Sequence, residues 1–255
     1  MENFVSISNE FLSDFIAVRD NYLSSLIDLS NKVINDFTIK YKVTRKKNEM
    51  KSILFNPLNY FNINETLHSH MLADLLNPNS SHGQGRLFLN SFLKKLEIIE
   101  PESGIWNVTA EKGRIDILLV REKPHSVIVI ENKSNNAVDQ DNQLYRYWYQ
   151  EIYLPNKDNP RFKKAGIYLQ TDIKKRYKII YLPPDDSKSP NLQSLKRPNW
   201  DFLILDDFEE ELPLKYDILT FNKDICDWLK ECICNLNSKN YRLKEYLNQY
   251  IELWN

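Results

Sequence analysis

The chain has 255 residues, 42% of them hydrophobic and 27% charged, which is ordinary globular composition with length enough to bury a core. A net charge of -1 excludes the global basic field of a tight non-specific polyanion binder and leaves local patches open. No apolar run approaches the ~20 residues a membrane helix needs, and the N-terminus MENFVSISNEF lacks a signal-peptide pattern.

Along the chain, Leu12, Phe15, Ile16, Tyr22, Leu23, Leu26, Val33 and Phe37 recur near a helical period, predicting a long amphipathic helix over 9–37. The basic stretch Lys40–Lys51 predicts a solvated loop or a helix start. NINETLHSHMLADLLNP predicts a helix from Glu65 to Leu76, stopped by Asn77-Pro78. A turn, SSHGQG, leads to another helix over Arg86–Leu96. β-Branched residues in alternation predict strands near 105–111, 114–121 and 127–133, and residues 137–151 read as helical. AGIYLQT, YKIIYL and DFLIL read as further strands, PPDDSKSPN as a surface loop, and 222–235 and 239–253 as C-terminal helices. Cys226, Cys232 and Cys234 crowd one of those helices without zinc spacing, so a disulfide framework is not expected and a reducing cytoplasm is. The expected class is α/β: a mixed β-sheet core flanked by helices, with extra N- and C-terminal helices, as one domain over 1–255.

The stretch GRIDILLVREKPHSVIVIENK concentrates the chemistry. Side chains alternate along a strand, so Arg114, Asp116, Leu118 and Val120 share one face, and Val127, Val129, Glu131 and Lys133 share one face of the next strand. A tight hairpin around EKPH sets 120 opposite 127, 118 opposite 129 and 116 opposite 131. Asp116 and Glu131 are then cross-strand neighbours with Cβ atoms roughly 4.5–5.5 Å apart. Opposed carboxylates repel unless a cation or a proton lies between them. Hard oxygen ligands on rigid strands suit Mg²⁺ or Mn²⁺, and an adjacent lysine can orient a water or stabilise charge developing on phosphorus. The plainer reading is an edge salt bridge from Asp116 to Lys133 or Arg114.

In this order, Glu65-Thr-Leu-His68-Ser69, LLNPNSSHGQG, GRIDILL, IENK and QLYRY resemble the PD-(D/E)xK nuclease superfamily, and within it a bacterial subfamily with the same succession of motifs. The resemblance covers about 53–253 and leaves 1–50 as a helical N-terminal extension. It implies a restriction-endonuclease-like fold and an Mg²⁺-dependent (or Mn²⁺-dependent) nuclease that hydrolyses DNA, with RNA as an alternative substrate. It further implies a partner subunit or homodimer, no membrane, and a role in defence against foreign DNA. Asp116, Glu131 and Lys133 become the catalytic set. Asp116, Glu131 and Glu65 become metal ligands, with the carbonyl of Asn132 a further one.

Several residues carry two readings each. Glu65 also fits a capping-box variant that satisfies free amides at the helix start. Gln143 and Tyr147, one turn apart, match a Gln-x-x-x-Tyr pattern that contacts the active site or a phosphate, and also suit an ordinary amphipathic helix. His68, one turn from Glu65, is a supporting residue or a satisfied buried histidine. His68, His70 and His82 lack the spacing of a zinc site. The basic, aromatic stretches Arg161–Lys178 and Lys40–Lys51 could track phosphates or be solvated faces. A catalytically silent nucleic-acid-binding or protein-interaction module of the same fold is the alternative from another class.

Overall fold

The computed structural model of the protein describes residues 2–52, 55–158, 175–201, 203 and 208–254, with side chains from residue 13 onward. It divides into two units, Met1–Asn56 and Pro57–Asn255. The first is a single helix, α1 (Glu2–Lys51). The basic stretch is therefore helix, not loop. No proline or glycine precedes Pro57, lysine and arginine are good helix formers, and cations suit the negative end of the helix dipole. No described helix is long and apolar enough to cross a membrane.

In the second unit a single 3-10 turn (Pro57–Tyr60) precedes α2 (Glu65–Leu76), whose cap is Asn64: its side chain accepts the Leu67 amide at 2.9 Å. After α3 (Leu87–Lys95) come β1 (Trp106–Lys112), β2 (Ile115–Arg121) and β3 (Ser126–Asn132). α4 (Gln143–Tyr147) runs on as a wider π-helical turn over Trp148–Tyr153. The chain then forms β4 (Tyr177–Leu182), β5 (Asp217–Ile218), α5 (Cys226–Asn235) and α6 (Tyr241–Glu252).

Among the described residues five strands lie in the order β1-β2-β3-β4-β5, antiparallel from β1 to β3 and parallel from β3 to β5, so the sheet is mixed as expected. Sequence reading missed β5, which has only two residues. Of DFLIL, Asp201 and Leu203 are helical rather than extended and the rest lies outside the described residues, as does AGIYLQT. β2 begins one residue later than expected, because Gly113 and Arg114 form the two-residue turn from β1, both with positive φ (64° and 69°). Arg114 therefore sits in the turn rather than on the strand face shared with Asp116.

Each face of the sheet is covered. Ile117, Leu119, Ile128 and Ile130 pack with α2, α3, α5 and α6; Leu118, Val127 and Val129 pack with α4 and the π-turn. This two-sided burial explains the apolar runs of β2 and β3, where polar side chains survive only at the strand ends. Buried Arg121 fastens the loops at one end, donating to the carbonyls of Ile99, Glu100 and Pro124 and to Ser126 Oγ.

Candidate active site

The β2–β3 register is the expected one: Leu118 opposes Val129 and Val120 opposes Val127. Continued by one side-chain step, it brings Asp116 opposite Glu131. Asp116 Oδ2 accepts the Asn132 amide at 2.6 Å, so the carboxylate lies against the end of β3. Lys133 Nζ is 2.7 Å from Glu131 Oε1 and 3.7 Å from Asp139 Oδ1, and all three side chains are buried. Glu131 Oε1 also accepts from Gln143 Nε2 at 2.9 Å. Glu131 Oε2 is buried with no hydrogen-bond partner.

The electrostatics follow from burial and from a shortage of positive charge. Burial first, then Glu131, pushes the Asp116 carboxyl up to about 8, although the Asn132 amide pulls the other way. Burial also raises Glu131 despite Lys133 beside it. Burial alone would lower Lys133, but Glu131 and Asp139 outweigh it and hold the ammonium form. Asp116, Glu131 and Asp139 thus share one lysine. A second cation would lower the energy of this cluster, and the orphaned Glu131 Oε2 is an oxygen available to it.

On the other face of β3, Asn132 couples the hairpin to α2: its side-chain amide donates to Glu65 O at 2.8 Å and Ser69 Oγ at 3.0 Å. The short motifs around residues 65–69 and 131–133 are therefore one bonded unit.

The chain matches the sequence model of the PD-(D/E)XK nuclease superfamily over residues 55–252. The chain belongs to that superfamily. No curated protein and no solved structure matches it. A PD-(D/E)XK nuclease acts on nucleic acid by hydrolysis and generally with divalent ions, and the mixed sheet with flanking helices agrees with the restriction-endonuclease-like fold.

The remaining residues expected at the site divide. Gln143 and Tyr147 join it: Gln143 Nε2 donates to both Glu131 and the Tyr147 hydroxyl (2.9 Å each), and that hydroxyl donates to Arg114 O at 2.5 Å. Glu65 caps no amide of its own helix. Its Oε1 accepts the Asn135 and Ala137 amides at 3.2 Å, holding the loop after β3, while its charge still acts on Lys133. Among the described residues no group of three or more His, Cys, Asp or Glu side chains is gathered as a metal site. Asp116 and Glu131 are the pair that fits a cation. His68 faces α6: its ring packs 4.9 Å from Trp254, and Nδ1 lies 2.8 Å from the Tyr250 hydroxyl. His70 is exposed, and His82 bonds within its own turn, so the three histidines do not converge.

Sequence reading missed Asp139 and the two arginines near Tyr147. Asp139 accepts from the Tyr181 hydroxyl (2.9 Å) and the Asn191 amide (2.7 Å), which aims it at Lys133. Its signal, one of two acids in the polar loop NAVDQDNQ, is indistinguishable from that of a solvated one. Arg114 and Arg146 line a depression with Gly113, Tyr147 and Gln150, and no motif spacing marks them as partners. Of the basic stretches, Lys40–Lys51 lies on exposed helix and most of Arg161–Lys178 lies outside the described residues.

Proposed function

We propose that this PD-(D/E)XK nuclease hydrolyses phosphodiester bonds of DNA with Mg²⁺ or Mn²⁺, and that Pro57–Asn255 carries the whole activity. The observation that supports it is the Asp116–Glu131 pair across β2 and β3, with Lys133 2.7 Å from Glu131 and Glu131 Oε2 unpartnered. Asp116 and Glu131 would hold the ion, with Glu65 and the Asn132 carbonyl as further donors. A divalent ion bound there supplies Lewis acidity toward a phosphoryl oxygen and acidifies a water.

The protein's own groups do the rest. Lys133, kept as the ammonium, donates hydrogen bonds that orient the attacking water and offset the charge that builds on phosphorus. The water oxygen bonds to phosphorus, its proton passes to a carboxylate oxygen or to solvent, and the departing sugar oxygen gains a proton. Gln143 and Tyr147 fix the Glu131 carboxylate, so its free oxygen keeps one direction. Arg114 and Arg146 offer a neighbouring phosphate two cations. The setting we infer, from the motif resemblance, is cytoplasmic defence against foreign DNA, with a second copy of the chain as partner.

The test is cleavage of circular and linear DNA, with RNA in parallel, alongside titration calorimetry of Mg²⁺ and Mn²⁺. Wild type should bind the ion and cut DNA. Asp116→Asn should lose the ion, and Lys133→Ala should bind it while losing at least ~100-fold in rate. A wild type that binds no divalent ion, or variants that cut as it does, would hand the assignment to a silent binding module.

A further inference from the structure

We propose that α1 is the surface through which two copies of this chain associate, paired antiparallel along the apolar face of the helix. Between residues 15 and 37 that face is wide and regular. Phe15, Leu26 and Phe37 stand eleven residues apart, as do Tyr22 and Val33, and Leu23 and Ile34. Eleven residues are just over three whole helical turns, so these side chains stay on one side of a nearly straight helix instead of drifting around it.

The face is exposed: Phe15 61%, Tyr22 64%, Val33 60% and Phe37 69%, with Leu23 and Leu26, the least exposed of the set named above, still at 48% and 41%. The eleven large apolar side chains between 15 and 37 together offer on the order of 1,000 Å², taking roughly 150–200 Å² for each whole side chain. That exceeds the ~300–600 Å² patch of a typical monomer and reaches the ~800 Å² per partner of a stable interface.

Charge selects the occupant and the direction. Residues 2–36 hold six acidic and two basic side chains (net -4), and residues 37–51 hold six basic and one acidic (net +5). A parallel pair of copies would stack six cations on six. An antiparallel pair centred on Leu26, the midpoint of the apolar span, lays residues 27–50 of each copy (six basic and three acidic, net +3) along residues 2–25 of the other (four acidic and one basic, net -3). Opposite net charges then face each other in both halves, and the two helix dipoles oppose. The helix is complementary to its own reverse, which makes the interface two-fold and self-limiting.

The experiment is sedimentation equilibrium on the full chain. The expected mass is twice the 30.4 kDa of one chain. Leu26→Asp combined with Leu29→Asp should weaken association by about 100-fold or more, whereas Ser24→Asp, on the polar side, should not. Orientation is read by oxidative cross-linking with Cys234 replaced by serine. Arg19→Cys and Val33→Cys should cross-link two copies only when both are present in one chain. A monomer at every concentration, or a dimer indifferent to the Leu26 and Leu29 changes, overturns the proposal. Cross-linking by either cysteine alone means parallel pairing and overturns it equally.

Discussion

Asp116 is where function and stability oppose each other. Its carboxyl is pushed up to about 8 by burial and by Glu131. A carboxyl whose pKa is raised on folding leaves the protein most stable below its unfolded value near 4. That stability is lost as the pH climbs through about 8, because the folded state must then hold an ion it would rather protonate. Denaturant midpoints without divalent ion should fall over that range, by free energies on the order of a few kcal/mol, and Asp116→Asn should flatten the fall while removing cleavage. Adding Mg²⁺ should restore the wild type at high pH and leave the variant unchanged. Gln143 acts one bond away. Gln143→Leu strips a donor from buried Glu131 and should cost about 1–3 kcal/mol of stability, with kcat falling more than KM rises.

At the scale of elements, the site depends on how α2, β2 and β3 are fastened together. Asn64→Ala removes the side-chain oxygen that caps α2 and should cost about 1 kcal/mol by urea unfolding, with Mg²⁺ affinity kept. Arg121 is the heavier fastening. Arg121→Met leaves the carbonyls of Ile99, Glu100 and Pro124 without their shared donor and should lower stability by about 3–5 kcal/mol. The β2–β3 hairpin was legible because each strand is apolar on both faces and the four residues between them leave one sensible register. α2 was legible from about Glu65 to its stop at Asn77-Pro78, but the carboxylate of Glu65 was the expected cap and Asn64 is the actual one. α4 was expected as one long helix over 137–151. It is instead a short helix followed by a π-turn, a widening that follows from packing Trp148 and Ile152 under the sheet and that no local propensity announces.

On the scale of the molecule, the boundary at residue 56 separates a helix with an exposed apolar face between residues 15 and 37 from a sheet-centred unit with cores on both faces. A chain beginning at Pro57 should unfold in one cooperative transition and keep cation-dependent cleavage, while sedimenting as a monomer. Calorimetry and sedimentation on that fragment check both halves of the expectation. His68 belongs to this scale as well. Burial lowers its imidazole to about 4, so the stability its neutral ring gives the α2–α6 packing is present above its unfolded value near 6.5 and is lost as the pH falls toward 4.

The amino-acid sequence by itself determined the mixed character of the sheet, the β2–β3 register and the grouping of Asp116, Glu131 and Lys133, with Gln143 and Tyr147 joined to them through the motif resemblance. Strand alternation and a four-residue connection are local rules, and they suffice to bring side chains of adjacent strands together. Only the tertiary structure decided the rest. It turned Glu65 toward the loop after β3 and gave His68 to α6. It added Asp139 from a polar loop and set Arg114 beside Arg146. Each of those placements depends on where separate elements pack, and contacts between distant segments leave no periodicity in the chain that carries them.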